Sequence, residues 1–69
     1  MEFYYYVVHV SKSTDVGFFI LVEIEMDVIP CDIDIIDYCI KTGKLSPEDS
    51  KQVDSITEIT VMEYNEMRS

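Results

Sequence analysis

Three segments of this chain distribute their apolar residues in the way that β-strands do. Residues 3–10, FYYYVVHV, are aromatic and β-branched almost throughout, which favours a pleated strand over a helix. Residues 18–28 place apolar side chains at every even position and carry acids at three of the odd ones, the strongest period-2 pattern in the chain. Residues 53–59, VDSITEI, fit a third strand. The polar segment 11–17 ends in glycine and predicts the loop of a hairpin between the first two strands.

The first of these strands is apolar on both of its faces. Alternation assigns its side chains to one face through Phe3, Tyr5 and Val7, and to the other through Tyr4, Tyr6, Val8 and Val10. A strand that is apolar on both sides has to be covered on both sides. We therefore predict that it is the central strand of the sheet.

One segment between the second and third strands has helical periodicity. Residues 32–42, DIDIIDYCIKT, place Ile33, Ile36 and Ile40 on one helical face, which we expect to be buried against the second strand. Two aspartates in the first turn complement the helix dipole. Gly43 follows as a typical C′ residue.

Two further segments carry helix-start signals. The sequence Ser-Pro-Glu-Asp at 46–49 is typical of an N-cap followed by proline, and predicts one turn of helix. Thr60 and Glu63 have the T-x-x-E spacing of a capping box, which predicts a short C-terminal helix over 61–67. The alternative is that the third strand continues to Tyr64.

These elements predict a single small α+β domain with the order β-β-α-β over residues 1–69. A right-handed crossover would place the third strand parallel to the second, with the first between them and antiparallel to both. The expected fold is a three-stranded antiparallel sheet with one main helix on one face and a short C-terminal helix.

Charge adds the next constraint. The chain has 14 acidic and five basic residues, a formal net charge of −9, yet 48% of its residues are hydrophobic and 12% aromatic. Acidic disordered tails lack such apolar content, so we place the charge on a folded surface. A strongly negative surface repels nucleic acid and membranes and favours a basic protein partner. We accordingly expect no direct nucleic-acid partner and no membrane partner.

The location of the protein is predicted from its cysteines and its first residues. If Cys31 and Cys39, eight residues apart, lie on one helix, about 12 Å of rise separates them, which is too far for a disulfide. Free thiols fit a reducing, cytoplasmic setting. The first residues, MEFYYY, lack the positive charge of a signal peptide, and the longest apolar run is too short for a membrane span.

Acidic side chains cluster in the middle of the sequence. Glu23, Glu25 and Asp27 share one strand face, about 6.6 to 6.8 Å apart. Asp34 and Asp37 share a helix face at spacing i, i+3. Regularly spaced carboxylates can imitate a nucleic-acid backbone and meet the same lysines and arginines. We predict these five residues as the partner-binding surface; the alternative is that they are solvated faces that serve solubility.

Other site chemistry finds little support in the residues. The D-x-D-x-x-D pattern at 32–37 lacks the glycine and distal glutamate of a calcium loop. His9, the only histidine, has no partner that the sequence identifies, and His9 with the two cysteines matches no zinc spacing. We therefore predict no catalytic site, no metal site, no cofactor and no enzymatic activity.

An apolar patch is expected on the sheet face opposite the main helix. Its predicted members are Phe19, Leu21, Tyr4 and Tyr6. Uncovered apolar surface rimmed by charge is typical of an interface, either with a second copy or with another protein. Alternatively, Tyr64 and Met67 of the C-terminal helix cover this face.

In size, charge and element order, the chain resembles the small acidic phage-encoded inhibitors of the anti-CRISPR type, several of which mimic DNA. The resemblance involves no sequence motif, so it transfers no functional residues. It implies an acidic inhibitor or decoy that blocks a basic, nucleic-acid-binding surface of a host defence or regulatory protein. The alternative is a small interaction module that homodimerises through its sheet and uses its acids for solubility.

Overall fold

The structure, a computed structural model, describes residues 2–11 and 17–68 and has the predicted α+β arrangement. Its strands pair in the order β2-β1-β3, and both pairs are antiparallel. The predicted hairpin loop lies mostly outside the described residues. The elements are β1 (Glu2–Val10), β2 (Phe18–Met26), α1 (Asp32–Lys41), a 3₁₀ helix (Asp49–Gln52), β3 (Val53–Ile59) and α2 (Val61–Arg68).

The central position predicted for β1 is confirmed. The strand pairs with β2 along its whole length and with β3 from Tyr5 onwards. Its even-numbered side chains join β2 and α1 in the main core, whose buried members are Tyr6, Val8, Val10, Val22, Ile24, Ile35, Cys39 and Leu45. The aromatic and β-branched composition of β1 is therefore explained by burial on both faces.

Helix α1 packs through a different stripe from the predicted one. Ile35 and Cys39 are the buried residues, at 1% and 0% exposure, whereas Ile33 is 70% exposed. Ile36 and Ile40 are partly buried. The buried stripe is thus turned by roughly 100°, one residue step, from the expected stripe. The isoleucines offer two overlapping apolar stripes, and the small Cys39 side chain lets the helix approach the sheet along the second.

The end of α1 matches its signal, and the helical turn that follows starts later than its signal. Gly43 has φ +78°, the left-handed conformation expected of a C′ glycine. Ser46 Oγ accepts the backbone N–H of Asp49 at 3.1 Å, but the N-cap of the helical turn is Glu48, two residues later than predicted. The predicted turn of helix is present here as the 3₁₀ helix Asp49–Gln52.

Strand β2 is shorter than predicted. It ends at Met26 rather than at residue 28, and Asp27 and Val28 form an exposed bend. Among the described residues, the ladder with β1 ends at the pair of Glu2 and Met26. The alternation in the sequence thus runs two residues past the end of the strand.

An irregularity in the register of β3 distributes its apolar residues over both faces. Val10 pairs with Val53 and His9 with Ser55, so Asp54 is an extra residue in the ladder. Because of this bulge, Val53 and Ile56 both pack against the main core. Ile59 pairs with Tyr5 and therefore lies on the opposite face.

Helix α2 begins directly after β3, and the alternative of a longer strand is wrong. The capping box is formed: Thr60 Oγ1 accepts the N–H of Glu63 at 3.1 Å, and Glu63 Oε1 accepts the N–H of Thr60 at 3.1 Å. The ring of Tyr64 packs on that of Tyr5 at a centroid distance of 5.0 Å. The helix therefore lies on the sheet face opposite α1.

The membership of that second face was predicted incorrectly in part. Tyr4 pairs with Ile24 and Tyr6 with Val22, so these tyrosines belong to the α1 face and not beside Phe19 and Leu21. In the structure the second face carries Phe3, Tyr5, Val7, Phe19 and Leu21. Val7 is only 4% exposed, and the Tyr64 ring covers its neighbour Tyr5. Tyr64 of α2 thus covers part of the second face, as the alternative prediction held for that residue, whereas Met67 is 43% exposed.

Candidate acidic binding surface

The topology gathers three distant segments at one end of the sheet. β1 starts there, β2 and β3 end there because they are parallel to each other, and each is followed by a helix N-terminus. We call this region, residues 2–5, 25–34 and 58–63, the acidic end. Negative charge is not spread evenly around the sheet, because these three segments contain acids but no basic residue.

The acidic end contains carboxylates and no basic residue. Its three segments hold one, four and two acids respectively, and no lysine, arginine or histidine. The acids are Glu2, Glu25, Asp27, Asp32, Asp34, Glu58 and Glu63. The bases of the described residues are in other parts of the fold: Lys41 and Lys44 at the end of α1, Lys51 in the 3₁₀ helix, and Arg68 at the end of α2. The charge is therefore polarised along the sheet.

Three of the five predicted contact residues line one groove. The groove, about 250 Å³, lies where α1 passes the outer edge of β2, and we call it the β2–α1 groove. Its lining residues are Ile24, Glu25, Met26, Asp34, Asp37, Tyr38 and Lys41. Two elements separated by a bend thus contribute acids to one depression, beside a single lysine.

The other two predicted residues lie near this groove but do not line it. Glu23 is opposite Tyr5 in the ladder and belongs to the α2 face. Partial burial raises the pKa of the Tyr5 hydroxyl, and the Glu23 carboxylate raises it further. Asp27 lies in the bend beyond β2. All five predicted acids are exposed.

Asp34 has a structural function as well as a charge. Its Oδ2 accepts the backbone N–H and the thiol of Cys31, both at 3.2 Å, and so caps the first turn of α1. The two hydrogen bonds lower the pKa of this carboxyl, because they favour its charged form. The carboxylate thus stays ionised at pH values below those at which an ordinary aspartate becomes protonated. Any stability that it contributes is lost only in more acidic solution, as the pH falls through the lowered pKa.

Tyrosine hydroxyls stand among the acids of this end. The Tyr4 hydroxyl donates to Glu2 Oε2 at 3.1 Å. Partial burial raises the pKa of Tyr4, followed by the effects of Glu2 and Glu58. Burial likewise raises the pKa of Tyr6, with a smaller effect from Glu58. Both hydroxyls stay protonated at neutral pH, and that of Tyr4 acts as a donor toward a carboxylate.

The thiols and the histidine are placed as packing and surface groups. Cys39 is fully buried, and burial raises the pKa of its thiol, which keeps it protonated. Cys31 is exposed, and both thiols are free. His9 is exposed, with its ring 6.4 Å from that of Phe19. Over residues 2–11 and 17–68, no three or more His, Cys, Asp or Glu side chains group in a way that could hold a metal ion.

A second groove was missed by the sequence reasoning. It has a volume of about 470 Å³ and lies between the first residues of β1 and the start of α2; we call it the β1–α2 groove. Its lining residues are Phe3, Tyr4, Tyr5, Glu58, Ile59, Thr60, Val61 and Glu63. The predicted parallel arrangement of β2 and β3 already implied that Glu58 and Glu63 lie at the same end as Glu25.

Comparison with known proteins found no matching family model, no similar curated protein and no similar solved structure. Among the described helices, none has the length and apolar content that a membrane span requires.

Proposed function

We propose that this chain is an acidic binding protein that occupies a basic surface of another protein, of the kind that binds nucleic acid. The observation that carries the proposal is the acidic end, where three segments contribute seven of the 14 acids and no base. A surface of one sign focuses its field and attracts a partner of the opposite sign. The partner would be a host defence or regulatory protein, and the two free thiols fit a reducing compartment such as the cytoplasm.

The geometry of the acids supports contact with a phosphate-binding groove. Glu25, Asp34 and Asp37 line the β2–α1 groove, and Asp27 lies in the bend between their elements. Arginine and lysine side chains that bind phosphate also pair with carboxylates. The chain would act as a decoy for the natural ligand of its partner.

Homodimerisation through the sheet has less support. The edge of β2 is occupied at its middle, where Lys44 Nζ donates to the backbone oxygen of Leu21 at 3.5 Å. A charged side chain that lies across the edge of a strand hinders pairing with another strand at that point. Tyr64 covers Tyr5 on the α2 face, and two copies would bring together two chains of charge −9. These features favour a foreign, basic partner.

The experiment compares two variants that carry equal charge. Glu25→Gln/Asp27→Asn/Asp37→Asn neutralises exposed acids of the proposed surface, and Glu48→Gln/Asp54→Asn/Glu66→Gln neutralises three exposed acids elsewhere. Both variants have a net charge of −9 + 3 = −6. We expect capture of a nucleic-acid-binding protein from bacterial lysate to fall at least about tenfold for the first variant and to persist for the second.

Two further measurements define the mode of binding. The captured protein should be released as the salt concentration rises, because the attraction is Coulombic, and short duplex DNA should compete with it. Equal loss of capture in both variants would mean that net charge alone attracts the partner, and the proposed surface would be wrong. A partner that resists both salt and DNA would contradict the decoy function.

A further inference from the structure

The first three residues of β1 are paired on one side only. Glu2 pairs with Met26, Phe3 with Glu25 and Tyr4 with Ile24, but the ladder with β3 begins at Tyr5. Had β3 continued, residue 61 would have paired with Phe3. Instead the chain turns at Thr60 into α2, and the β1–α2 groove occupies this place.

The backbone of Phe3 is directed toward this groove. Lys44 Nζ reaches the backbone oxygen of Leu21, so the backbone groups of Leu21 point away from β1. In an antiparallel ladder the bonding direction alternates, and Leu21 is paired with Val7. Val7, Tyr5 and Phe3 therefore direct their N–H and C=O groups to the β3 side. For Phe3, β3 has already ended.

The walls of the groove combine apolar surface with carboxylates. Phe3 is 54% exposed, and Tyr5, Ile59 and Val61 line the groove together with it. Glu58 lies on the α1 side of the same opening, near enough to Tyr4 and Tyr6 to raise the pKa of both. Aromatic faces and carboxylates together suit guanidinium and ammonium groups.

We propose that the β1–α2 groove binds an extended basic segment of a partner protein, which adds to the Phe3 backbone as a short strand. Main-chain hydrogen bonds to Phe3 would align the bound segment with β1, and the carboxylates of the groove would select arginine or lysine side chains. A second copy of this chain is a poor occupant because of its charge of −9. The inference rests on the proposed function and specifies its partner: the partner carries an extended basic segment beside its basic surface.

The probe is a blocked hexapeptide of alternating arginine and valine, titrated into the ¹⁵N-labelled protein at constant ionic strength. We expect amide shifts at Phe3, Tyr4 and Val61. Methylating alternate peptide nitrogens removes strand hydrogen bonds and should weaken binding roughly tenfold. Replacing arginine by glutamate in the peptide should abolish binding.

Variants of the protein and the positions of the amide shifts separate this groove from the rest of the acidic surface. Glu58→Gln should weaken peptide binding several-fold, whereas Glu48→Gln, at an exposed acid that lines neither groove, should leave it unchanged. Shifts confined to Glu25, Asp37 and Tyr38 would overturn this inference and leave the proposed function intact. Equal binding of the methylated peptide would overturn strand addition, and no shift at all would overturn the site. The proposed function is judged separately, by capture with the variant that neutralises Glu25, Asp27 and Asp37.

Discussion

At the scale of single residues, the isoleucines of α1 show how much exposure differs between positions of equal hydrophobicity. Ile35 lies in the core between α1 and the sheet, while Ile33, two residues earlier, is mostly exposed. The free energy of unfolding that is lost when an isoleucine is shortened depends on the packing contacts that its side chain makes. The same substitution at the two positions should therefore have very different effects.

We expect Ile35→Ala to lower the free energy of unfolding by about 2 to 5 kcal/mol, because it leaves a cavity in the core. Ile33→Ala should change it by less than about 0.5 kcal/mol. Urea unfolding followed by circular dichroism measures both. If Ile35→Ala proves too unstable to study, Ile35→Val, with an expected loss of about 0.5 to 1.5 kcal/mol, replaces it. A larger loss for Ile33→Ala than for Ile35→Ala would contradict the observed rotation of α1.

At the scale of elements, α2 depends on its first turn more than on burial. None of its residues is buried, and the Tyr64 ring packs on that of Tyr5. An eight-residue helix is not stable by itself in water. The capping box of Thr60 and Glu63 thus contributes a large part of what keeps α2 in place.

Thr60→Ala should cost about 1 kcal/mol, because the N–H of Glu63 loses its acceptor. We expect the loss to be local, with faster amide exchange in Val61–Arg68 and little change in β1. Thr60→Ser keeps the hydroxyl and serves as the matched control. Unchanged exchange in the Thr60→Ala variant would mean that packing on Tyr5 alone holds the helix.

At the scale of the whole molecule, a net charge of −9 on 69 residues opposes compaction. The acidic end concentrates part of this repulsion, because its carboxylates come from three segments that folding brings together. Repulsion of this kind destabilises the compact state. Added salt should relieve it.

Raising the NaCl concentration from about 0.01 M to about 0.1 M shortens the Debye length from about 30 Å to about 10 Å. We expect the thermal unfolding midpoint to rise by a few degrees as a result. Glu25→Gln/Asp27→Asn/Asp37→Asn should begin with a higher midpoint and respond less to salt. A midpoint that falls with NaCl would show that attractive ion pairs outweigh the repulsion between acids.

The sequence by itself determined the elements and their order. Alternation over Phe18–Met26, the doubly apolar β1, the glycine after α1 and the capping box at Thr60 are local features, and local sterics and hydrogen bonding decide them. The central position of β1 followed as well, because a strand that is apolar on both faces needs cover on both. The cluster of acids between residues 23 and 37 was also visible without a structure.

The tertiary structure alone decided which side chains meet. Helix α1 has two apolar stripes of similar hydrophobicity, and packing against the sheet decided which of them is buried. The pairing of Tyr6 with Val22 assigned the tyrosines to the α1 face, because register fixes the face of every residue in a strand. The β1–α2 groove exists because β3 ends two residues before it would have met Phe3, and where a neighbouring strand stops is a property of the assembled sheet.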